Sequence, residues 1–318
     1  MITLHAAPGE LGRVFASLPA GEESVLIRLE AGEYREKCML TRGNVTVEGA
    51  GAELTRIVWD DGAYGLLEDG TKRGTFRTAT LMVFAPNVTL RNLTVHNAAA
   101  PREAVGQAIA LYVDADFFAC EDCRLLSFQD TLFTAPLPPK EIVPGGFVGP
   151  RQFAPRIPQR HVYRRCLIEG DVDFIFGGAA AWFEECEIRS VDGRGDRSAP
   201  YVGYATAAST PQGQKYGYVF NRCRFTHERL APGSVYIGRP WRNYAQTLLI
   251  DCELAEHIHP DGFHDWDKKD AHATMRYGEC RSRGPGAAKT RAPFVRLMQE
   301  TDAAFAAFWA EGNGRESL

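Results

Sequence analysis

Two carboxylates, two primary amides and a guanidinium stand out along the 318-residue chain: Asp130 and Asp173, Gln107 and Gln129, and Arg239. If they meet in one cleft they could do carboxylate-centred chemistry, since an acid with a perturbed surrounding and a specific charge partner is a catalytic candidate. Gln107 and Gln129 stand about one repeat unit apart, and so do Asp130 and Asp173 once a proline-rich stretch between them is set aside. That spacing would line all of them along one face of a solenoid in adjacent turns. The residue types alone also allow a plainer reading, in which Asp130 caps a turn and Asp173 is a salt-bridged surface carboxylate.

The elements that must position these groups are written as a repeat. Strand-like phrases recur as NVTVEGAG, NVTLRNLTVHN, EDCRLLS, RRCLIEG, EECEIRS, NRCRFTH, IDCELAE and GECRSRG. Six carry a cysteine at what reads as the same place: Cys123, Cys166, Cys186, Cys223, Cys252 and Cys280. The spacing suits the coils of a solenoid, some with inserted loops. Parallel pairing between coils stacks equivalent inward side chains, so the cysteines are expected as a buried column of free thiols, neither catalytic nor disulfide-bonded. The Cys120/Cys123 C-x-x-C pair has no second pair at zinc-ribbon spacing and reads as strand.

Helical periodicity is confined to the ends, where GELGRVFASL and TDAAFAAFWA are expected to cap the open solenoid, with Trp309 packing inside the second. Residues 135 to 160 hold seven prolines and three glycines, which defeats helix and strand alike, and predict a long projecting loop. Its charged residues, Lys140, Glu141, Arg151, Arg156 and Arg160, carry a positive excess suited to attracting carboxylates. One domain over residues 1–318 with this insertion is expected.

Composition is that of an ordinary globular protein, 45% hydrophobic and 24% charged with a net charge of −4, and without a basic surface that would suit nucleic acid. No apolar run is long enough to span a bilayer, and the first residues show no basic start followed by an apolar stretch. A cytoplasmic, monomeric protein is the expectation, with export by another route left open. The Asn-x-Thr triplets at Asn44, Asn87 and Asn92 read as strand text rather than glycosylation sites.

In order along the chain, QAIAL, QDTLF, DVDFIFG and IGRPW resemble the signature segments of the pectin methylesterase family. The resemblance extends to GEYREK, GTFRTATLMVF, YATAASTPQGQKYG and HIHPDGFHDW, covering roughly residues 25 to 290. It implies a right-handed parallel β-helix, no metal or organic cofactor, and methyl-esterified polygalacturonate or its oligomers as substrate. Matched motif by motif, Asp173 would be the nucleophile, Asp130 the general acid and base, Gln107 and Gln129 the oxyanion donors, and Arg239 the residue that holds the nucleophile. Trp241 would form an aromatic wall of the sugar site and Thr75 a further substrate contact.

Those roles make chemical sense. An arginine favours the ionised nucleophile, while burial beside another carboxylate favours a proton on the acid. Two amides can receive the developing oxyanion. The chain departs from the pattern at Phe133, a substrate-side position after QDTL that is commonly tyrosine, so a hydroxyl contact is absent. Ile237 replaces leucine, and Phe263 stands where tryptophan is frequent, which puts the aromatic lining near Trp266 in question. His257, His259 and His264 are read as structural or substrate-side rather than as metal ligands. The rival readings are a related esterase or thioesterase acting on another ester, a non-catalytic carbohydrate-binding solenoid, and a pectate lyase, which would need an acidic calcium cluster that the sequence lacks.

Overall fold

The computed structural model describes residues 1–299. Strands of two to six residues recur along it, and like strands of successive coils pair in parallel. Among the described residues this gives three sheets of eleven, eight and seven strands, so the solenoid expected from the repeat is the parallel β-helix that the family resemblance implies.

The corner between the eleven- and eight-stranded sheets explains the repeated phrase. Six of the coils turn there through two residues, the first left-handed: Asn92 (φ 56°), Asp122 (52°), Arg165 (50°), Glu185 (54°), Arg222 (52°) and Asp251 (52°). The second drops into the core: Leu93, then Cys123, Cys166, Cys186, Cys223 and Cys252. A left-handed L-residue costs about 1–2 kcal/mol, and the small inward residue makes the sharp turn packable. Cysteine adds a weak donor. The thiol of Cys186 points at the carbonyl of Tyr163 one coil back (3.4 Å), Cys223 at Phe183 (3.3 Å) and Cys252 at Phe220 (3.3 Å), satisfying core carbonyls that a methyl group could not.

Cys280 does not belong to that column. Register pairs it with Ile250, so Ser282 holds the corner position, and Cys280 lies instead with Val162, Ala180, Val219 and Ile250 in a separate cluster. The phrase GECRSRG matches the others by eye but is offset by two residues. Asn44, Asn87 and Asn92 are left-handed turn residues (φ 56–58°), which is what asparagine tolerates best after glycine.

At the N-terminal end a helix forms over Leu11–Ala16, shorter than the expected segment, and buries Leu11 and Phe15. TDAAFAAFWA lies outside the described residues. The 135–160 segment projects only in part, with Ile142, Val143 and Phe153 exposed. It folds back, with Leu137 and Phe147 buried in a cluster against Phe76, Tyr112, Phe133 and Phe176 of the seven-stranded sheet side.

Candidate active site

The seven-stranded sheet supplies the site. Its strands include Leu132–Thr134, Val172–Gly177, Gly203–Ala208 and Val235–Pro240, paired so that Phe133, Phe176, Ala207 and Arg239 form one column. At the start of the second of these strands the register slips: Val172 pairs with Tyr204 but Ile175 with Thr206, leaving one extra residue. Asp173 sits in that bulge with φ 50°, and Asp130, just before the first strand, has φ 66°. Bulges re-aim side chains beside functional sites, and both acids occupy a conformation that aspartate adopts at modest cost.

Gln107, Gln129, Asp130, Asp173 and Arg239 all line one cleft of about 240 Å³, together with Thr75, Trp241 and Trp266. Backbone ties between coils set their spacing: the Ala108 amide donates to the Gln129 carbonyl (3.0 Å) and the Asp130 amide to that of Val172 (3.1 Å). Arg239 grips Asp173 in a two-pronged contact, Nε to Oδ1 at 2.8 Å and Nη2 to Oδ2 at 2.7 Å. Its guanidinium is sandwiched, with Cζ 3.9 Å from the ring centre of Tyr204 and 3.8 Å from that of Trp266. The stacking fixes the plane in which the fork meets the carboxylate.

The two acids are 8% and 7% exposed. Burial pushes the Asp130 carboxyl well above the usual range, and the charge of Asp173 pushes it further, against a partial pull from Arg239. Burial also raises Asp173, but the hydrogen bonds and charge of Arg239 draw it back. Of the pair, Asp130 therefore holds its proton the longer. An ionised carboxylate beside a protonated one is the division of labour that lets a single cleft supply both a nucleophile and an acid.

The aromatic lining differs from expectation in two places. Phe133 lies on the cleft-side face of the sheet but is fully buried, edge-on to Phe76 at 5.0 Å and beneath the folded-back segment, so it is not a substrate contact. Sequence order shows which face a residue takes, not what later packs over it. Phe263 is core, stacked on Tyr277 at 4.3 Å, whereas Trp266 does line the cleft. Trp241 packs edge-on to Phe147 at 6.1 Å, its carbonyl held by Lys268 Nζ at 3.2 Å. Of the three histidines, His257 is buried and stacked on His227, His259 stacks on Tyr236, and His264 meets Tyr204 and Tyr236 edge-on.

Gly146 of the 135–160 segment lines the cleft, and Arg242 Nη2 donates to the Lys140 carbonyl (3.0 Å), so the segment forms one wall. Its positive excess is largely spent internally. Arg151 pairs with Asp114 at 2.7 Å and Arg160 with Asp116 at 2.5 Å, while Arg156 donates to backbone carbonyls of the segment itself. Tyr204, Lys268 and the Arg102–Asp171 ion pair were not singled out from the sequence. Only position within the YATAAS and GDVDF segments hinted at Tyr204 and Asp171. A larger groove of about 330 Å³, bordered by Tyr216, Leu248 and Met298, includes no carboxylic acid and shares no lining residue with the cleft.

Fold and site together define a parallel β-helix protein with a cleft built on a carboxylate pair. The chain belongs to the pectinesterase family, whose profile matches residues 13–137 and 156–305. It is similar to probable pectinesterase 8 of Arabidopsis thaliana, 29% identical over 88% of this chain, and to pectinesterase 1 of Citrus sinensis, 33% identical over 86%. The chain spans 65% and 42% of the length of those two relatives. Among solved structures it resembles a pectin methylesterase in complex with a hexasaccharide, at 25% identity and a TM-score of 0.77, over 100% of this chain and 99% of the other.

Proposed function

We propose that this protein hydrolyses the methyl esters of galacturonate units in pectin or its fragments, releasing methanol. The observation that carries the reading is the pairing of a buried, proton-holding Asp130 with an arginine-gripped Asp173 in a cleft that also presents Gln107 and Gln129. That a similar solved structure holds a hexasaccharide supports an oligomeric sugar substrate.

In the first half-reaction a carboxylate oxygen of Asp173 bonds to the ester carbonyl carbon, and the carbonyl oxygen takes up the electron pair. The amide N–H groups of Gln107 and Gln129 stabilise that oxyanion. Collapse breaks the bond to the methoxy oxygen, which leaves as methanol with the proton of Asp130. The products of this step are an acyl anhydride on Asp173 and an ionised Asp130. Asp130 then removes a proton from water as the water oxygen attacks the acyl carbon, and the anhydride bond breaks to return Asp173 as a carboxylate. Arg239 positions Asp173 throughout, and Trp241 and Trp266 offer flat faces to sugar rings.

Methanol release from highly methylated pectin tests the reading. Asp173→Ala and Asp130→Ala should each lower it by orders of magnitude with the fold retained, because neither side chain belongs to the solenoid core. Near-normal turnover in either variant would refute the mechanism, and an unsaturated, ultraviolet-absorbing product would point to elimination instead.

A further inference from the structure

Behind the catalytic pair lies a third carboxylate. Asp171 is fully buried, two residues before Asp173, with its Oδ2 2.7 Å from Arg102 Nε. The contact is an ion pair by proximity rather than an aligned hydrogen bond, and neither Asp171 oxygen has a well-aligned side-chain donor, so Arg102 is its charge partner. Arg102 opens the helical turn Arg102–Val105 that delivers Gln107 to the cleft, and its carbonyl accepts from Gly106 at 2.8 Å. The Asp171 backbone is stitched to the intervening coil, its amide donating to the Phe128 carbonyl (3.1 Å), and its own carbonyl accepts from the Tyr204 amide (3.1 Å) and the Tyr201 hydroxyl (2.9 Å). Glycine is required opposite: a Cβ at Gly193 would stand 2.8 Å from Asp171 Oδ2 and 2.5 Å from Phe128. The ion pair thus spans from the coil of Gln107 to the coil of Asp173, across the one that holds Gln129 and Asp130.

We propose that Arg102 and Asp171 form a positioning ion pair, which ties the segment bearing Gln107 to the coil bearing Asp173 and holds a negative charge behind the proton-donating Asp130. The inference rests on the esterase reading above. The groups facing Asp171 are Arg102 from the helical turn, Asp192 with its partner Arg194, and Tyr201 from the following loop, and Asp130 from the adjacent coil. Burial pushes the Asp171 carboxyl up to about 6 against the pull of Arg102, and its charge adds to the upward push on Asp130.

The sign follows. Asp130 must carry its proton for methanol to leave, so the alkaline limb of kcat/KM marks its titration. Asp171→Asn removes a neighbouring negative charge, lowers the proton affinity of Asp130, and should move that limb to lower pH by roughly half a unit, the scale of a like charge partly screened by its own partner. Arg102→Met leaves a buried carboxylate without a cation and frees the Gln107 segment. It should cut kcat roughly tenfold, with KM little changed, while Arg102→Lys and the double variant Arg102→Met/Asp171→Asn recover part of the loss.

The measurement is methanol release from pectin across the pH range for wild type and the four variants, with thermal melting of each. An unmoved alkaline limb in Asp171→Asn, or an Arg102→Met loss that neither Arg102→Lys nor the double variant relieves, overturns the proposal. A wild-type protein that releases no methanol overturns the esterase reading itself, so the two failures are distinct.

Discussion

Replacing Arg239 by methionine would remove both hydrogen bonds to Asp173 and leave a carboxylate that is only 7% exposed without its paired cation, with only the more distant charge of Lys268 acting on it. Hydrogen bonds to charged groups contribute about 1.5–3 kcal/mol each and are not additive within one fork. Breaking a buried pair costs about 3–5 kcal/mol. Taking ~3 kcal/mol as lost preference for the ionised form, at ~1.4 kcal/mol per pKa unit the Asp173 carboxyl should rise by roughly two units. Because the nucleophile must be ionised, the acid limb of kcat/KM should move to higher pH by about that amount. At a fixed pH on that limb the rate then falls about 100-fold.

A second effect compounds the first: raising Asp173 toward Asp130 makes the two share a proton, so neither role is cleanly filled. Arg239→Lys restores the charge but neither the fork nor the stacking between Tyr204 and Trp266, and should recover only part of the activity. The assay is initial-rate methanol release against pH, with thermal melting as a control for folding. An acid limb that stays in place, with kcat/KM within a few-fold of wild type, would refute the claim that Arg239 keeps Asp173 ionised.

Gln107→Ala and Gln129→Ala should each lower kcat about a hundredfold, the usual cost of one oxyanion donor, and wild-type rates in both would place the oxyanion elsewhere. Phe147→Ala removes a ring packed against Phe76 and Trp241. It should destabilise the folded protein by ~3 kcal/mol, read by denaturant melts, and narrow any preference in kcat/KM for short methylated oligogalacturonides over polymer, whereas an unchanged preference would make the segment a mere covering. His257 is buried, and burial followed by the charge of His227 lowers its pKa to about 4. The folded state then disfavours protonation, so stability present above pH 6.5 should be lost as pH falls toward 4. A His257→Phe variant should show a flatter melting temperature across that window, and an equally steep fall would assign the acid sensitivity to other groups.

The repeat and the site residues were legible in the sequence for one physical reason: in a solenoid, spacing along the chain becomes stacking in space. Gln107, Gln129, Asp130, Asp173 and Arg239 therefore converge in one cleft as their order suggested. The cysteine phrase succeeded for the same reason, since a corner with one left-handed residue and one small inward residue recurs coil after coil. It failed at Cys280, where local similarity of letters does not report hydrogen-bond register.

What only the tertiary structure decided are contacts made across the repeat by segments that do not obey it. The 135–160 segment reads as a solvated loop because prolines and glycines forbid regular structure, yet Leu137 and Phe147 give it an apolar underside that closes over Phe133. Its arginines read as free charge until Asp114 and Asp116 are seen to take two of them. The sandwich of Arg239 between Tyr204 and Trp266, and the Arg102–Asp171 pair, join residues far apart in sequence with no shared period. Periodicity specifies which way a side chain faces, but burial, ion pairing and proton affinity depend on what arrives from elsewhere in the chain to meet it.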